Sequence, residues 1–169
     1  MGAREQVMAE RDEQFDSWMH LALIEARAAG GRGEIPIGAI VVDSSGEVIA
    51  AAGNRREADH DPTAHAEILA LRAAALRRGD WRLTGCTLVV TIEPCPMCAG
   101  AIVLSRVQTL VLGAWNDDYG AAGSRWDLVR DRRLNHSVEV VSGVRERECA
   151  DLLKDFLAEQ RDGGATGPA

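Results

Sequence analysis

The apolar, β-branched run TLVVTI, from Thr87 to Ile92, constrains the fold more than any other stretch of this chain. It is long enough for a strand but short for a helix, and its lack of polar alternation predicts a strand that is buried on both faces. A second run, TLVLGA from Thr109 to Ala114, follows after the short helical segment CPMCAGAIVLSR. Strands that alternate with helices in this way predict a layered α/β domain with a buried sheet.

The remaining periodic segments supply the other elements of such a domain. Helical spacing of apolar residues predicts a first helix over 12–29, another over 65–78 and a final one over 145–159. A tight turn at SSGE joins two further strands, of which the second ends at Asn54, and the last strand spans 138–141. We therefore expect a three-layer α/β/α fold with a roughly five-stranded mixed sheet and helices on both faces.

Length and composition favour one cytoplasmic domain. A chain of 169 residues can bury a core without disulfides, and we assign 1–11 to a flexible N-terminus, 12–160 to the domain and 161–169 to a flexible C-terminal tail. No apolar run is long enough to cross a membrane, and the polar N-terminus is unlike a secretory signal. The formal net charge of −7 argues against a broadly basic nucleic-acid surface, although not against a substrate recognised by pocket contacts.

Two of the cysteines stand as Cys95-Pro-Met-Cys98, a spacing typical of metal or redox sites. If both lie on the first turn of a helix, their sulfurs can reach a single ion, and the helix N-terminus favours their thiolate forms. A structural zinc site would need a fourth strong ligand, but Cys86 and Cys149 lie in apolar segments where small core residues are expected. Three protein ligands and one open position are instead the pattern of a catalytic zinc site.

The third ligand would then be a histidine, and His65 is the best candidate of the four in the chain. It opens a predicted helix beside Glu67, and a catalytic zinc site needs such a carboxylate to move a proton. Packing or ordinary hydrogen bonding accounts for His20, His60 and His136. Residues two apart on a regular helix point about 200° away from each other, so His65 and Glu67 can face one ion only if the helix entrance is irregular.

The combination of His65-Ala66-Glu67 with Pro94-Cys95-Pro96-Met97-Cys98 resembles the zinc-dependent nucleobase deaminases of the cytidine-deaminase-like superfamily. The stretches IPIGAIVV, DPTAHAEILALR, EPCPMCAGAI and GAAGS are most similar to the bacterial tRNA-specific adenosine deaminases, the TadA family, and the similarity runs from about Asp16 to Leu157. The resemblance implies the cytidine-deaminase-like fold, one Zn²⁺ per chain, a homodimer and a tRNA anticodon stem-loop as the substrate.

The resemblance also implies roles for individual residues. His65, Cys95 and Cys98 would bind zinc, and Glu67 would carry the proton while water replaces the amino group at C6 of adenosine and inosine forms. The implied substrate is the wobble adenosine of an arginine tRNA. The residues implied to contact it are Asn54, Ile35, Ala66, Pro94, Ala114 and Asn116, the last at a position where the family usually carries an acid.

Two rival functions would use the same residues differently. A deaminase of a free base or nucleoside, such as guanine, would need the same zinc and glutamate, and the net acidity of the chain mildly favours it. A zinc-stabilised binding module without catalysis would leave Glu67 and the open coordination position without a role. The stretches DPTAHAEILALR and GAAGS favour the tRNA deaminase over both.

Overall fold

The computed structural model of this chain describes residues 2–163, which form a mixed five-stranded sheet between two layers of helices. The expected three-layer α/β/α architecture is confirmed. The helices are α1 (Ala3–Gly31), α2 (Ala66–Arg78), α3 (Pro96–Leu104) and α4 (Glu146–Gly163), and the strands are β1 (Gly38–Val42), β2 (Val48–Gly53), β3 (Thr87–Ile92), β4 (Thr109–Ala114) and β5 (Glu139–Val141).

The sheet has the strand order β2-β1-β3-β4-β5. Strand β1 is antiparallel to both β2 and β3, whereas β3, β4 and β5 are mutually parallel neighbours. Because β1 alone runs in the opposite direction, the other four strands all end on the same side of the sheet, which we call the carboxyl edge. Ile92 pairs with Ala114 there, so β3 and β4 end level with each other.

The central strands send side chains into two hydrophobic cores, one on each face of the sheet. Leu88 and Val90 of β3 join the core that lies under α2 and α3, while Val89 and Ile92 join the core that lies under α1 and α4. All four side chains are buried. The apolar run that predicted a strand covered on both faces therefore forms one, and its end is held firmly at the carboxyl edge.

The first helix begins earlier than the apolar pattern predicts. It starts at Ala3 rather than at residue 12, so the predicted start of this helix is wrong, whereas the division of the chain into 1–11, 12–160 and 161–169 stays a prediction. The residues from Arg4 to Gln14 are exposed, and they are mostly good helix formers without glycine or proline. Apolar residues at helical spacing mark only the part of a helix that is buried. The first part of α1 is exposed to solvent, so it carries no such pattern.

The other predicted boundaries agree closely with the structure. Strands β3 and β4 have the predicted bounds, whereas α4 continues to Gly163, past its predicted end at residue 159. Most of the tail predicted over 161–169 lies outside the described residues. None of the helices within residues 2–163 combines the length and the apolar character that a membrane crossing requires.

Candidate active site

The two cysteines of the CPMC motif lie where the chain leaves the sheet and enters α3. Strand β3 ends at Ile92, and three residues later Cys95 is the N-cap residue of α3, with an extended backbone at φ −71° and ψ 171°. Pro96 is the first helical residue, a position where its missing N–H is not needed. Cys98 follows in the first turn and is fully buried. The predicted placement of both cysteines at a helix entrance is therefore confirmed.

His65 occupies the equivalent position at the N-terminus of α2. It is the N-cap residue and has an extended backbone, with φ −73° and ψ 150°, whereas Glu67 belongs to the first helical turn. The preceding turn is held by the Asp61 carboxylate, which accepts a hydrogen bond from the backbone N–H of Thr63 at 2.8 Å. The 200° separation expected for helical neighbours does not apply, because only one of the two residues is helical.

The two helix entrances bring three metal-binding atoms together. The Nδ1 atom of His65 lies 3.7 Å from the Sγ atom of Cys95 and 3.6 Å from that of Cys98, and all three atoms lie within 4.8 Å of one another. Tetrahedral zinc, with Zn–S near 2.3 Å and Zn–N near 2.0–2.1 Å, would separate nitrogen from sulfur by about 3.6 Å. The donor set and its spacing thus fit zinc, and within residues 2–163 no other group of three His, Cys, Asp or Glu residues is arranged in this way.

Burial and hydrogen bonds alter the proton affinities of these groups. The hydrogen bond with Cys98 lowers the pKa of the Cys95 thiol to about 4, while the same bond and burial raise the pKa of Cys98. A hydrogen bond to Cys95 raises the pKa of His65. A cation bound by the three residues would stabilise both cysteines as thiolates.

Glu67 is a buried carboxyl group beside the three metal-binding atoms. Its side chain is only 4% exposed, and burial raises the pKa of its carboxyl to about 7, with Cys95 and His65 close enough to contribute smaller effects of opposite sign. A carboxyl group whose pKa lies near neutrality can both accept and return a proton under physiological conditions. The site therefore combines three atoms that can bind a metal ion with a carboxyl group that can exchange a proton.

Most of the predicted substrate-binding residues lie at the carboxyl edge of the sheet, where His65, Cys95 and Cys98 also lie. Ala114 ends β4, and its carbonyl oxygen accepts a hydrogen bond from the N–H of Glu93 at 2.8 Å, which brings Pro94 beside it. Asn54 directly follows β2 and is 6% exposed, and its N–H donates to the carbonyl oxygen of Ile37 at 3.0 Å. The fully buried Ala66 stands between His65 and Glu67, and the half-buried Ile35 precedes β1 at the same edge.

Asn116 has a local structural role in the loop that follows β4. Its Oδ1 atom accepts hydrogen bonds from the backbone N–H groups of Tyr119, at 3.1 Å, and Asp118, at 3.3 Å. An aspartate could accept the same two bonds, so the departure from the family's usual acid is compatible with this loop conformation. The predicted contact between Asn116 and the substrate stays a prediction.

Two buried glutamates near the site have roles that sequence reasoning missed. Glu34, 1% exposed, accepts hydrogen bonds from the N–H groups of Glu57 and Ala58 in the loop after β2. Glu93, 2% exposed, binds the loop after β4 in the same way. A charged residue directly after a buried apolar strand is the signal that could have drawn attention to it.

The chain is similar to proteins of known family over most of its length. The family described as the cytidine and deoxycytidylate deaminase zinc-binding region matches residues 12–114. The tRNA-specific adenosine deaminase of Bacillus subtilis is 49% identical over 148 residues, which cover 88% of this chain and 91% of that protein. The tRNA-specific adenosine deaminase of Haemophilus influenzae is 45% identical over 152 residues, which cover 90% and 88% of the two chains.

Solved structures of deaminases share the fold of this chain. A structure from work on A-to-I editing by tRNA:A34 deaminases at the wobble position of transfer RNA has a TM-score of 0.78 and 45% identity, with 80% of this chain and 98% of that chain covered. A guanine deaminase from Nitrosomonas europaea has a TM-score of 0.75 and 28% identity, with 85% and 84% covered. The match to a zinc-binding region and the identity to the tRNA-specific adenosine deaminases agree with the His-Cys-Cys arrangement of the site. The chain therefore belongs to the cytidine and deoxycytidylate deaminase family and, within it, to the tRNA-specific adenosine deaminases.

Proposed function

We propose that this protein deaminates adenosine to inosine at the wobble position of an arginine tRNA anticodon loop. The observation that carries the proposal is the burial of Glu67 beside a His-Cys-Cys cluster whose spacing fits zinc. The named activity of the B. subtilis and H. influenzae relatives, and of the tRNA:A34 deaminase structure, supports the choice of a tRNA adenosine. The choice of the arginine tRNA rests on the sequence resemblance.

The proposed reaction replaces the amino group at C6 of adenine by oxygen, so that water is consumed and ammonia leaves. Zinc held by His65, Cys95 and Cys98 would supply the Lewis-acid chemistry that makes water a competent nucleophile at neutral pH. Glu67 accepts the proton that the water loses and returns it to the departing nitrogen as the C6–N bond breaks. Because its carboxyl group is buried, bulk water does not compete for that proton.

The proposed pocket holds a base that has left the stack of the anticodon loop. Asn54 would hydrogen-bond the flipped nucleotide, and the backbone near Ala66 and Pro94 would line the edge of the base. Ile35 and Ala114 would pack against its faces. A single-stranded loop supplies such an extruded base at low energetic cost, which favours RNA of this kind over a duplex.

An assay of competing substrates tests the proposed reaction. The zinc-loaded protein is incubated with an arginine tRNA anticodon stem-loop, guanine, cytidine or free adenosine, and the products are identified by mass spectrometry. We expect inosine at the wobble position and no comparable turnover of the small molecules. Deamination of guanine alone would overturn the proposal. It would favour the rival function, that of a guanine deaminase such as the N. europaea enzyme, whose fold this chain shares.

We propose further that the protein acts in the cytoplasm as a homodimer, with the outer face of α2 and α3 as the interface. Leu76 and Leu104 are 84% and 68% exposed, and the 53% exposed Trp81 lines the grooves beside both of them. Monomers seldom leave several large apolar side chains exposed together on one face. A second copy of this chain is the occupant that the family resemblance predicts.

Sedimentation velocity tests the dimer. The unmodified protein should sediment as a dimer at micromolar concentration, and Leu104→Glu should shift it to a monomer because a charge would be buried in the interface. Val7→Glu is the matched control, since Val7 is a 64% exposed apolar residue of α1, away from this face. A monomeric unmodified protein, or dissociation by both variants alike, would contradict the proposed interface.

A further inference from the structure

The carboxylate of Glu93 is buried and is surrounded by donors from one loop. This loop, residues 115–124, follows β4. Oε2 accepts a hydrogen bond from the N–H of Asn116 at 2.9 Å, and Oε1 accepts bonds from the N–H groups of Ala122 at 2.9 Å and Ser124 at 3.0 Å. The hydroxyl of Ser124 also donates to Oε2. The loop thus closes around a single side chain that comes from the end of another strand.

The backbone of the loop packs directly against the Glu93 carboxylate at Gly120. A β-carbon added to Gly120 would lie only 2.0 Å from Oε2, so this position admits no side chain. The N–H of Ala121 also donates to the carbonyl oxygen of Pro94 at 2.8 Å. Backbone and side-chain bonds together tie residues 115–124 to the short turn that leads into Cys95.

The chemistry of these contacts requires an acceptor at Glu93. Three of the four partners are backbone N–H groups, which can only donate, and the Ser124 hydroxyl can donate its one proton either to Oε2 or to the carbonyl oxygen of Asn116. A carboxylate is the only side-chain group of this length that offers acceptors alone. A glutamine of the same shape would present an NH₂ group to backbone N–H groups and leave donors unpaired in a buried site. The backbone N–H groups of the loop therefore stabilise the buried carboxylate of Glu93.

We propose that Glu93 is a positioning residue, which holds the 115–124 loop against the turn that carries Cys95 and thereby sets the width of the substrate pocket. The loop contains Asn116 and is continuous with Ala114, which are both assigned to the pocket. The Glu93 carboxylate accepts its hydrogen bonds from Asn116, Ala122 and Ser124 of the loop, so it acts through the loop. The role in substrate binding rests on the proposed function, whereas the role in holding the loop does not.

Hydrogen–deuterium exchange of Glu93→Gln tests the loop directly. The amides of Asn116, Ala122 and Ser124 should exchange about tenfold faster or more, because each loses a buried charged acceptor. Zinc content should stay near one per chain. Thr91→Val is the matched control: Thr91 is also buried, and its hydroxyl accepts a hydrogen bond from Gly38 on the other side of β3, so its loss should leave the loop amides unchanged.

Steady-state kinetics with the anticodon stem-loop test the pocket. For Glu93→Gln we expect KM to rise about tenfold and kcat to change by less than about threefold, because a loosened loop weakens binding but leaves Glu67 in place. Ser124→Ala, which removes one side-chain donor only, should give a smaller rise in KM. This variant provides the test if Glu93→Gln does not fold. Glu93→Asp, which retains the charge, should recover part of the loss.

Two results would overturn the proposal. Loop amides that exchange in Glu93→Gln and in Ser124→Ala at the rate of the unmodified protein would mean that the carboxylate does not hold the loop. A loss of zinc or of kcat with an unchanged KM would mean that Glu93 acts on the Cys95 turn instead. If the unmodified protein fails to turn over the stem-loop, the proposed function fails, and the exchange measurement still decides whether Glu93 holds the loop.

Discussion

The backbone conformation of His65 determines how the site is assembled. Its extended ψ of 150° lets the imidazole turn towards the cysteines, while Glu67, already helical, is buried beside them. Had both residues been helical, the two side chains would have pointed about 200° apart. A single non-helical residue thus allows one short motif to supply both a metal-binding histidine and the carboxyl group that we propose carries the proton.

Replacing Glu67 by alanine should abolish turnover without loss of the metal. General acid–base catalysis contributes about 10²–10⁴-fold, so deamination of the stem-loop should fall by at least that factor. Glu67→Gln preserves the size of the side chain and serves as the control for packing; it should be equally inactive. Zinc content, measured by atomic emission, should stay near one per chain. Loss of zinc in both variants would assign Glu67 to the metal instead.

At the scale of elements, the site exists because two helices begin at the same edge of the sheet. Helix α2 starts after His65 and α3 after Cys95, and both pack on the same face of the sheet. The opposite face is covered by α1 and α4, which contribute no metal ligand. Close packing of that second layer keeps the strands, and hence the carboxyl edge, in register.

Gly113→Ala should destabilise the contact between β4 and α4. The added β-carbon would lie 2.4 Å from the Sγ atom of Cys149 and 2.5 Å from the carbonyl oxygen of Thr91. Overpacking of this kind lowers the free energy of unfolding by about 1–3 kcal/mol, which urea denaturation would detect. Gly31→Ala is the control, because nothing lies within 4 Å of its added β-carbon. Equal stabilities of the two variants would contradict the packing argument.

Arg145 joins α1 to α4, and its contribution should depend on pH. It lies 2.8 Å from the Asp16 carboxylate and 3.2 Å from that of Glu148, with His20 also in contact and Arg27 on the far side of Glu148. The Arg145 hydrogen bond lowers the pKa of Asp16, and the hydrogen bond from Arg27, followed by the charge of Arg145, lowers that of Glu148.

A depressed acid pKa adds stability above the unfolded values of 3.8 and 4.5, and this stability is lost as the pH falls through the lower folded values. These side chains are partly exposed, so Arg145→Met should cost at most about 1 kcal/mol at pH 7. The difference in Tm from the unmodified protein should shrink as the pH falls below about 4. A difference that stays constant down to pH 2 would exclude the ion pairs as its cause.

At the scale of the whole molecule, zinc would link segments that are distant in the chain. His65 and Cys95 are joined only through the length of α2 and β3, so an ion bound to both would hold the helix layer to the carboxyl edge. An ion that binds only the folded cluster stabilises the fold by mass action. Metal content and stability are therefore coupled.

Chelation should lower the Tm and remove activity together. Zinc at one hundred times its Kd would stabilise the fold by about 2.7 kcal/mol, so its removal should shift Tm by several degrees. Added Zn²⁺ should restore both properties, and Mg²⁺ should restore neither, because nitrogen and sulfur ligands disfavour it. Cys95→Ser should show the low Tm with or without chelator. An unchanged Tm after complete removal of zinc would mean that the cluster forms without it.

The secondary structure of the central region could be predicted closely because its signals are local. Strands β3 and β4 have the expected bounds, and α2 ends before Gly79, whose positive φ of 67° suits glycine. The start of α1 could not be predicted from apolar spacing, because its first turns bury nothing. The metal-binding triad could be predicted from residue type and spacing, and the metal-site geometry agrees with it.

Periodicity, helix caps and short motifs act between near neighbours in the chain, so the kinds of elements, the chemistry of the ligands and the family follow from the sequence alone. Three features instead depend on how the chain packs in space: the extended backbone of His65, the strand ends at one edge of the sheet, and the hydrogen bonds from the 115–124 loop to Glu93. The bonds of Glu93 join residues 23 to 31 positions apart. Such contacts depend on how strands and loops pack in space, and no local pattern in the chain encodes them.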